Sequence, residues 1–310
     1  MNNFVYAVDK NYNQQLFYSI FTLLENTNSF SNIHVIHKEP NTFVNYEKLL
    51  KNNFSNYSLN IYKFNILNIN FPNLENKHVS EATYYRLFID KIIPDNIKNY
   101  IYLDADIVVI NNFDNYINEV FDQLNKSNLI AACRTEFTKN NLNFATFEKL
   151  KMKSSKYFNA GVMFVNHKKW LSTEMFAKLS HNLKSLKDVI NYWDQDVLNS
   201  VIDGNYIEIS QTANYPLNLR WPLPFEEIKQ NNLFIHYQSN NKPWTIRGCA
   251  NIGSLFYQNT ALKLNGRYHL VKSVRRYDLF YLLFNTLKFK YLHLPKKLNF
   301  YKESLKLIFL

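Results

Sequence analysis

Strand-like and helix-like segments alternate along the first part of this chain, over about 130 residues. The segments FVYAV, NIHVIHKE, LNIYKFN, YIYLDADIVVI and LIAACRTEF are rich in β-branched and aromatic residues, which favour strands. Between them, the apolar residues from Leu16 to Leu24 recur at helical spacing, and EATYYRLFIDKIIP predicts a helix that stops before Pro94. This alternation predicts an α/β fold with a largely parallel sheet that is covered on both faces.

Two aspartates interrupt YIYLDADIVVI, which is otherwise entirely apolar. In a continuous strand, Asp104 and Asp106 would point to one face and Ala105 to the other. Carboxylates in such surroundings are costly unless they are paired or bind a metal, and their hard oxygens suit Mn²⁺ or Mg²⁺. Ligands of parallel sheets bind beyond the carboxyl ends of the strands, where both Asp104 and Asp9 are expected. The ordinary alternative is a solvated strand end.

Three further segments carry candidate functional side chains. His236, at the end of NLFIH, would add an imidazole nitrogen to a metal site and favour Mn²⁺; the alternative is a half-buried structural histidine. Lys242 suits a phosphate as a point charge, or is a surface charge. In YWDQDVLN, capping of a helix explains Asp194 and Asp196, but it gives no role to Gln195.

The net charge of +11 is concentrated at the C-terminal end. Residues 263–310 contain eleven Lys or Arg and two acidic residues, so this segment carries +9 of the net charge of +11. We therefore predict a catalytic domain at residues 1–262 and a basic, aromatic, amphipathic helical tail at residues 263–310.

Residues 267–310 have the composition of an interfacial membrane anchor that faces anionic lipid. Their apolar density and the lack of a recognisable motif argue against nucleic acid. The alternative is a terminal helix packed on the core. In a final helix, one stripe is expected to hold Leu298, Tyr301, Leu305, Ile308 and Phe309, with Phe300 and Leu307 on the other side.

The sequence gives three indications of compartment. Cys133 and Cys249 cannot form a disulfide framework and lack C-x-x-C spacing, which fits a reducing cytosol. The N-terminal MNNFVYAVDK lacks the basic and apolar regions of a signal peptide. No window approaches the about 20 apolar residues of a spanning helix. We expect a cytoplasmic protein that associates peripherally with the inner face of the membrane.

Six motifs in chain order resemble glycosyltransferase family 8, and within it the bacterial lipopolysaccharide and lipooligosaccharide α-galactosyl- and α-glucosyltransferases. They are A-x-D-x-N-Y from Ala7, T-Y-x-R-L from Thr83, Y-L-D-A-D, F-N-A-G, D-Q-D-x-L-N and H-Y-x-x-x-x-K-P-W. The resemblance covers roughly residues 4–250. It implies a GT-A fold with a Rossmann-like sheet, a UDP-sugar donor, Mn²⁺ (or Mg²⁺) and retention of anomeric configuration. Galactose is favoured over glucose, and the implied acceptor is a lipooligosaccharide or lipopolysaccharide core saccharide.

The resemblance also implies roles for individual residues. Asp104, Asp106 and His236 would ligate the metal. The remaining implied contacts are Ala7, Asp9, Asn11 and Tyr12 with uracil and ribose, the Ala105 main chain with ribose, Lys242 with the β-phosphate, and Arg86, Asn159, Asp194 and Gln195 with the donor sugar.

Two residues in these motifs qualify the implied chemistry. The family commonly has glycine in an H-Y-x-G sequence, whereas this chain has Gln238 and Ser239, so a phosphate contact from the Ser239 amide would be strained if φ is positive there. Gln195 is a carboxamide and hence a poor nucleophile. We therefore expect substitution on the same face of the sugar, with Asp194 orienting a donor hydroxyl.

Two rival functions remain. The first is a haloacid-dehalogenase-type phosphatase, whose D-x-D also ends an apolar strand; that family places the motif on its first strand, whereas here it comes at residue 104 and is followed by IVVI. The second is a non-catalytic glycan-binding protein on the same fold. It would be expected to have lost the three metal-ligand candidates or Gln195, all of which are present.

Overall fold

The computed structural model describes residues 1–66, 71–72, 74, 80–140, 144–238 and 241–310. The chain forms two compact units. Unit 1 comprises residues 1–17, 27–105 and 113–210, and unit 2 comprises residues 18–26, 106–112 and 211–310. Residue 263, where the composition changes, lies inside the helix Leu255–Asn265. The boundary predicted there stays a prediction.

Strands, α-helices and 3₁₀ helices follow one another along the described residues. The strands are β1 (Asn2–Val8), β2 (Ser31–His37), β3 (Tyr57–Lys63), β4 (Asn99–Leu103), β5 (Ile107–Val109), β6 (Ala131–Thr138), β7 (Lys156–Asn166), β8 (Ile207–Glu208), β9 (Tyr215–Pro216) and β10 (Phe234–His236). The α-helices are α1 (Asn13–Glu25), α2 (Val44–Asn53), α3 (Asp114–Lys126), α4 (Phe144–Lys149), α5 (His167–Ser172), α6 (Met175–Ser185), α7 (Trp193–Ile202), α8 (Phe225–Asn231), α9 (Leu255–Asn265), α10 (Arg275–Leu287) and α11 (Lys297–Phe309). The 3₁₀ helices are Lys10–Tyr12, Pro40–Phe43, Glu81–Lys91, Gln211–Ala213, Gly248–Ala250 and Ile252–Ser254.

Unit 1 contains a seven-stranded sheet in the order β3-β2-β1-β4-β7-β6-β8. Neighbouring strands are parallel except where β7 pairs with β4 and with β6. In β7 every residue from Tyr157 to Asn166 is buried, which indicates cover on both faces of the sheet. The structure thus confirms the predicted α/β fold with a mostly parallel sheet.

The segment EATYYRLFIDKIIP forms a 3₁₀ helix, Glu81–Lys91, and ends before Pro94 as predicted. Ser80 begins it by accepting a hydrogen bond from the Ala82 amide at 3.4 Å. A 3₁₀ helix has three residues per turn, so side chains three apart are aligned. Thr83 and Arg86 therefore lie on one face of this helix.

Unit 2 contains the small sheet β5-β10-β9 and the helices α9 to α11. Its apolar cluster includes Ile246, Tyr291 and Phe300. No helix in the described part of the chain is both long enough and apolar enough to cross a bilayer.

Helix α11 differs from the stripe expected for it. The side chains that face the core are Phe300, Ser304 and Ile308, all buried, whereas Leu298 and Leu305 are exposed. The expected stripe was therefore wrong in placing Ile308 with the exposed leucines. Spacing of four residues from Phe300 explains the buried face, because residues four apart stack along a helix.

Candidate active site

The D-A-D motif lies in a turn and not in a strand. Strand β4 ends at Leu103, the turn holds Asp104 to Asp106, and β5 begins at Ile107 in the other sheet. The Asp104 amide still donates to the Gly161 carbonyl at 2.9 Å, after which the chain leaves the large sheet. The expectation of two aspartates on one strand face was wrong. The turn avoids embedding both carboxylates in the middle of a buried strand.

Arg86 connects two carboxylates of unit 1. Its Nη2 lies 2.8 Å from Asp104 Oδ1 and its Nε lies 2.6 Å from Asp194 Oδ2. Nη1 donates to the Ala160 carbonyl at 2.6 Å, and the guanidinium sits 4.4 Å from the centre of the Tyr102 ring. Arg86 is buried, so these contacts fix the guanidinium and bring motifs that are distant in sequence together.

Asp194 is a buried carboxylate whose charge is supported by its neighbours. Burial raises its pKa to about 6, although the Arg86 charge and a 2.8 Å hydrogen bond from Thr83 Oγ1 oppose that rise. At neutral pH the carboxylate is therefore ionised and paired with Arg86. Thr83 and Arg86 both reach it because the 3₁₀ helix aligns them. The supporting role of Thr83 was not anticipated from the sequence, although it opens the T-Y-x-R-L motif.

Gln195 is tied to strand β7. Its Oε1 accepts a hydrogen bond from the Ala160 amide at 2.9 Å, and its Nε2 contacts the Tyr157 hydroxyl at 3.4 Å. Asn159, the preceding residue of the F-N-A-G motif, accepts from the Gly161 amide at 3.0 Å. The structure thus places Gln195 beside the F-N-A-G motif. The resemblance assigns Gln195 and Asn159 of that motif to the same ligand, the donor sugar.

Asp196 organises the start of α7. Its Oδ2 accepts the amides of Asn191 at 2.7 Å and Tyr192 at 2.8 Å, and its Oδ1 accepts the Tyr157 hydroxyl at 2.6 Å. These bonds support the left-handed backbone of Trp193, whose φ is 50°. Such a conformation is costly for a residue other than glycine, and it is typical of a position that surrounding contacts must hold. Asp196 therefore has a structural role, and the preceding Asp194 remains for the site.

The expected nucleotide-contacting residues lie at the carboxyl end of β1. Ala7 belongs to β1, and Asp9 begins the 3₁₀ helix Lys10–Tyr12 by accepting the Asn11 amide at 2.8 Å. Tyr12 closes that turn through a 3.1 Å bond to the Asp9 carbonyl. This is the sheet edge where parallel α/β folds bind their ligands.

In unit 2, Asp106 faces two nitrogen-bearing side chains. Lys242 Nζ lies 2.7 Å from its Oδ2, and His236 Nε2 lies 3.4 Å from its Oδ1. Burial alone would raise the pKa of Asp106, but the positive charge of the neighbouring Lys242 holds it well below its usual range. Asp106 is thus a carboxylate at any physiological pH.

The contact between Asp106 and His236 fits a bound cation. Nδ1 of His236 lies 2.9 Å from Asn214 Oδ1 and 3.3 Å from the Gln238 amide nitrogen. The shorter contact makes Nδ1 the donor, which gives the neutral ring a lone pair on Nε2. Asp106 Oδ1 is buried and has no hydrogen-bond partner within the described residues. Two acceptors at 3.4 Å are favourable only with a proton or a cation between them.

The D-A-D motif spans the division between the two units. Asp104 and Ala105 end the second segment of unit 1, and Asp106 begins the next segment of unit 2. Asp104 thus belongs to the Arg86–Asp194 group of unit 1, and Asp106 belongs to the His236–Lys242 group of unit 2. Ser239, the remaining residue expected at the phosphate, lies outside the described residues.

Proteins of similar sequence are known from several bacteria. A Haemophilus influenzae protein named as a glycosyltransferase is 28% identical to this chain over 256 residues. The match covers 78% of this chain and 72% of that protein. The lipopolysaccharide 1,3-galactosyltransferase of Salmonella typhimurium is 28% identical over 188 residues, 59% of this chain and 55% of that enzyme. The match thus spans about half the length of the Salmonella enzyme.

Solved structures share the fold. The galactosyltransferase LgtC in complex with donor and acceptor sugar analogues superposes with a TM-score of 0.65 at 22% identity, covering 88% of this chain and 99% of LgtC. An active-site mutant of LgtC gives a TM-score of 0.68 at 21% identity with the same coverage. These matches confirm the GT-A architecture expected from the sequence.

The sequence profile of glycosyl transferase family 8 matches residues 3–248, a span that holds all six motifs. It includes the D-A-D turn, and so it argues against the phosphatase alternative. The chain belongs to glycosyl transferase family 8.

Proposed function

We propose that this chain is a retaining, metal-dependent hexosyltransferase that moves galactose, or else glucose, from a UDP-sugar to a saccharide acceptor. Family membership supports glycosyl transfer. The observation that carries the metal and diphosphate parts of the proposal is Asp106, a carboxylate only 13% exposed that faces both an imidazole nitrogen and a lysine ammonium.

The metal ligands in this proposal are Asp104, Asp106 and His236. Together they offer two carboxylates and one imidazole, a set able to hold a divalent ion. An imidazole ligand favours Mn²⁺ over Mg²⁺, which prefers oxygen alone. When bound, such an ion would offset the negative charge of the donor's diphosphate.

Lys242 is assigned to the β-phosphate. Departure of UDP concentrates negative charge on the diphosphate, so preorganised positive charge is the main catalytic demand. Lys242 Nζ is held by Asp106 and by the Tyr237 carbonyl, which aims the ammonium before substrate arrives. The nucleotide would lie against the end of β1, with Ala7, Asp9, Asn11 and Tyr12 at the uridine and the Ala105 main chain at the ribose.

Asp194 and Gln195 are assigned to the donor sugar, near Arg86 and Asn159. The Asp194 carboxylate is engaged by Arg86 and Thr83, which supports an orienting role for it and not nucleophilic attack. Gln195 is a carboxamide whose oxygen is bound by the Ala160 amide. Neither side chain is thus available as a free nucleophile, which favours same-face substitution over a covalent intermediate.

In that reaction the bond between the anomeric carbon and the β-phosphate oxygen breaks, and its electron pair stays on UDP. The acceptor hydroxyl forms the new bond on the same face of the sugar, and its proton passes to a β-phosphate oxygen. Gln195 would support the cationic ring that develops between these events.

The relatives favour a lipopolysaccharide or lipooligosaccharide core saccharide as acceptor. Two of them are named lipopolysaccharide 1,3-galactosyltransferase and lipopolysaccharide 1,2-glucosyltransferase. Galactose is the favoured donor sugar because LgtC, a galactosyltransferase, shares the fold over nearly its full length.

We also assign residues 267–310 to the cytoplasmic face of an anionic membrane. In α10 and the turns after it, Leu283 is 58% exposed, Leu287 79% and Phe289 71%. Exposed Lys288 and Lys290 adjoin them. Apolar side chains bordered by lysines are typical of interfacial anchors. Co-sedimentation with vesicles tests this: the chain should pellet with phosphatidylglycerol vesicles and not with phosphatidylcholine vesicles, and Leu287→Ser with Phe289→Ser should abolish pelleting.

A donor panel tests the proposed reaction. Release of UDP is measured from UDP-galactose, UDP-glucose and their N-acetyl forms, with Mn²⁺ or with EDTA, and with lactose as a model acceptor. We expect Mn²⁺-dependent release from one UDP-hexose and a product with the α configuration of the donor. Tight UDP binding without release from any donor would favour the non-catalytic glycan-binding alternative.

A further inference from the structure

The residues that carry Lys242 form a compact turn. In this Lys242 turn, defined as residues 242–248, the Lys242 carbonyl accepts the Thr245 amide at 3.1 Å and the Thr245 hydroxyl at 2.8 Å. A Cβ added to Gly248 would lie 2.0 Å from that carbonyl oxygen, so only glycine fits there. The turn therefore fixes the backbone from which the lysine side chain extends.

Three other carbonyls of the Lys242 turn are bound by residues that follow it in unit 2. Gln258 Nε2 donates to the Pro243 carbonyl at 2.8 Å, and the Val271 amide donates to the Trp244 carbonyl at 2.7 Å. The Tyr291 hydroxyl donates to the Ile246 carbonyl at 3.0 Å. These partners come from α9, from the segment after it and from the turn after α10. The C-terminal part of the chain thus supplies hydrogen bonds that the turn cannot make by itself.

Gln258 makes the most extensive of these connections. Besides its bond to Pro243, its Nε2 donates to the His269 carbonyl at 2.8 Å and its Oε1 accepts the His269 amide at 3.1 Å. The side chain is fully buried. One side-chain amide therefore joins the residue after Lys242 to the backbone at the start of the C-terminal segment, and both its nitrogen and its oxygen are hydrogen-bonded.

The same parts of the chain share one apolar cluster. Ile246 and Cys249 pack with Tyr268, Tyr291 and Phe300. Arg247 adds a contact in which its guanidinium lies 4.8 Å from the centre of the Tyr281 ring. The C-terminal helices are therefore built onto the Lys242 turn and do more than carry an exposed basic surface.

We propose that Gln258 and Tyr291 are positioning residues for Lys242, through which the C-terminal segment sets the lysine's place against the donor diphosphate. The inference rests on the proposed contact between Lys242 and the β-phosphate. Lysine is a flexible point charge, and it stabilises a developing charge well only when its backbone is held in advance. Loss of one support loosens the ammonium without removing it.

Tyr291 and Tyr268 provide a paired test. Both are buried tyrosines of the same cluster, and each hydroxyl donates to a backbone carbonyl: Tyr291 to Ile246 of the Lys242 turn, and Tyr268 to Pro295 at 2.5 Å, away from the turn.

The Tyr291 hydroxyl also lies 3.3 Å from the Tyr281 carbonyl and 3.4 Å from Asn285 Nδ2. Tyr291→Phe is therefore not matched to Tyr268→Phe in stability, and the two are compared only by their effect on phosphate recognition. Only the first should affect recognition of a β-phosphate.

The measurement is the ratio of the dissociation constants of UDP and UMP at saturating Mn²⁺, because UMP lacks the β-phosphate. Lys242→Met defines the full effect and should weaken UDP at least about tenfold relative to UMP. Tyr291→Phe should weaken UDP about three- to tenfold relative to UMP, and Tyr268→Phe should leave the ratio unchanged. In the Lys242→Met background, Tyr291→Phe should have no further effect on the ratio. Gln258→Met should also weaken UDP relative to UMP. If Gln258→Met does not fold, Tyr291→Phe alone decides the test.

Two results would overturn the inference in distinguishable ways. If Lys242→Met lowers UDP affinity but Tyr291→Phe leaves the ratio at the wild-type value, the positioning role is wrong and the phosphate contact stands. If Lys242→Met itself leaves the ratio unchanged, the proposed phosphate contact is wrong and the positioning role falls with it.

Discussion

Replacing Arg86 with methionine should leave Asp104 and Asp194 without the guanidinium that pairs with both. Arg86 is 6% exposed and Asp194 2%, so water cannot replace the guanidinium at Asp194, whereas Asp104 is partly exposed. Removing one partner of a buried ion pair costs about 3–5 kcal/mol, because the remaining charge stays buried without compensation. We expect a loss of that size in the free energy of unfolding at pH 8.

The loss should depend on pH, because Arg86 opposes the effect of burial on Asp194. Without it, burial and the Asp104 charge raise the pKa of Asp194 further above about 6. A carboxyl whose folded-state pKa is raised contributes stability that is lost as pH rises through that value. Between the unfolded-state and folded-state pKa values, each rise of one pH unit lowers the free energy of unfolding by about 1.4 kcal/mol. The loss should therefore be about 1–2 kcal/mol smaller at pH 5.5 than at pH 8.

Urea denaturation with EDTA present measures both effects. The exposed Arg220 supplies a control, and Arg220→Met should change the free energy of unfolding by less than about 0.5 kcal/mol. Asp194→Asn in the Arg86→Met background should recover part of the loss at pH 8 by removing one of the two charges. A loss below about 1 kcal/mol, or equal losses at the two pH values, would refute the view that Arg86 neutralises this pair.

Three other substitutions test the roles of single residues. Gln195→Ala should lower turnover at least about tenfold with little change in UDP affinity, whereas alanine at the exposed Gln123 should change neither; equal losses in turnover and UDP affinity would contradict the role of Gln195. Asp90→Asn should raise the melting temperature at pH 8 and not at pH 4. Burial raises the pKa of Asp90 from 3.8 to about 6, so up to about 3 kcal/mol of the free energy of unfolding is lost as pH rises through that value. Gly248→Ala should lower the melting temperature and weaken UDP binding, because its Cβ meets the Lys242 carbonyl; wild-type values for both would refute the close approach.

Much of the fold follows from local sequence signals. The strands at FVYAV, NIHVIHKE, LNIYKFN and LIAACRTEF and the helix that begins in YWDQDVLN lie where the pattern predicts them, because apolar runs bounded by polar turns indicate strand position well. The motif positions were also sufficient to indicate the family, which the sequence profile confirms.

The pairing of residues distant in sequence did not follow from the pattern. Arg86 pairs with both Asp104 and Asp194. Its position depends on the 3₁₀ form of helix Glu81–Lys91, which has three residues per turn. The apolar spacing of that segment indicated a helix but not its 3₁₀ form. The break between β4 and β5 was also missed, because LDADIVV contains only β-favouring residues on each side of the aspartates. Which sheet a short strand joins is decided by partners such as β10, and these are far away in the sequence.

Calorimetric titration of UDP with Mn²⁺ or with EDTA tests most directly the claim that the D-A-D turn holds a metal against a nucleotide diphosphate. We predict that Mn²⁺ tightens UDP binding by at least about tenfold in the wild type and that Asp106→Asn removes this effect, while uridine binds equally with and without metal. UDP that binds equally well with Mn²⁺ and with EDTA in the wild type would contradict the claim.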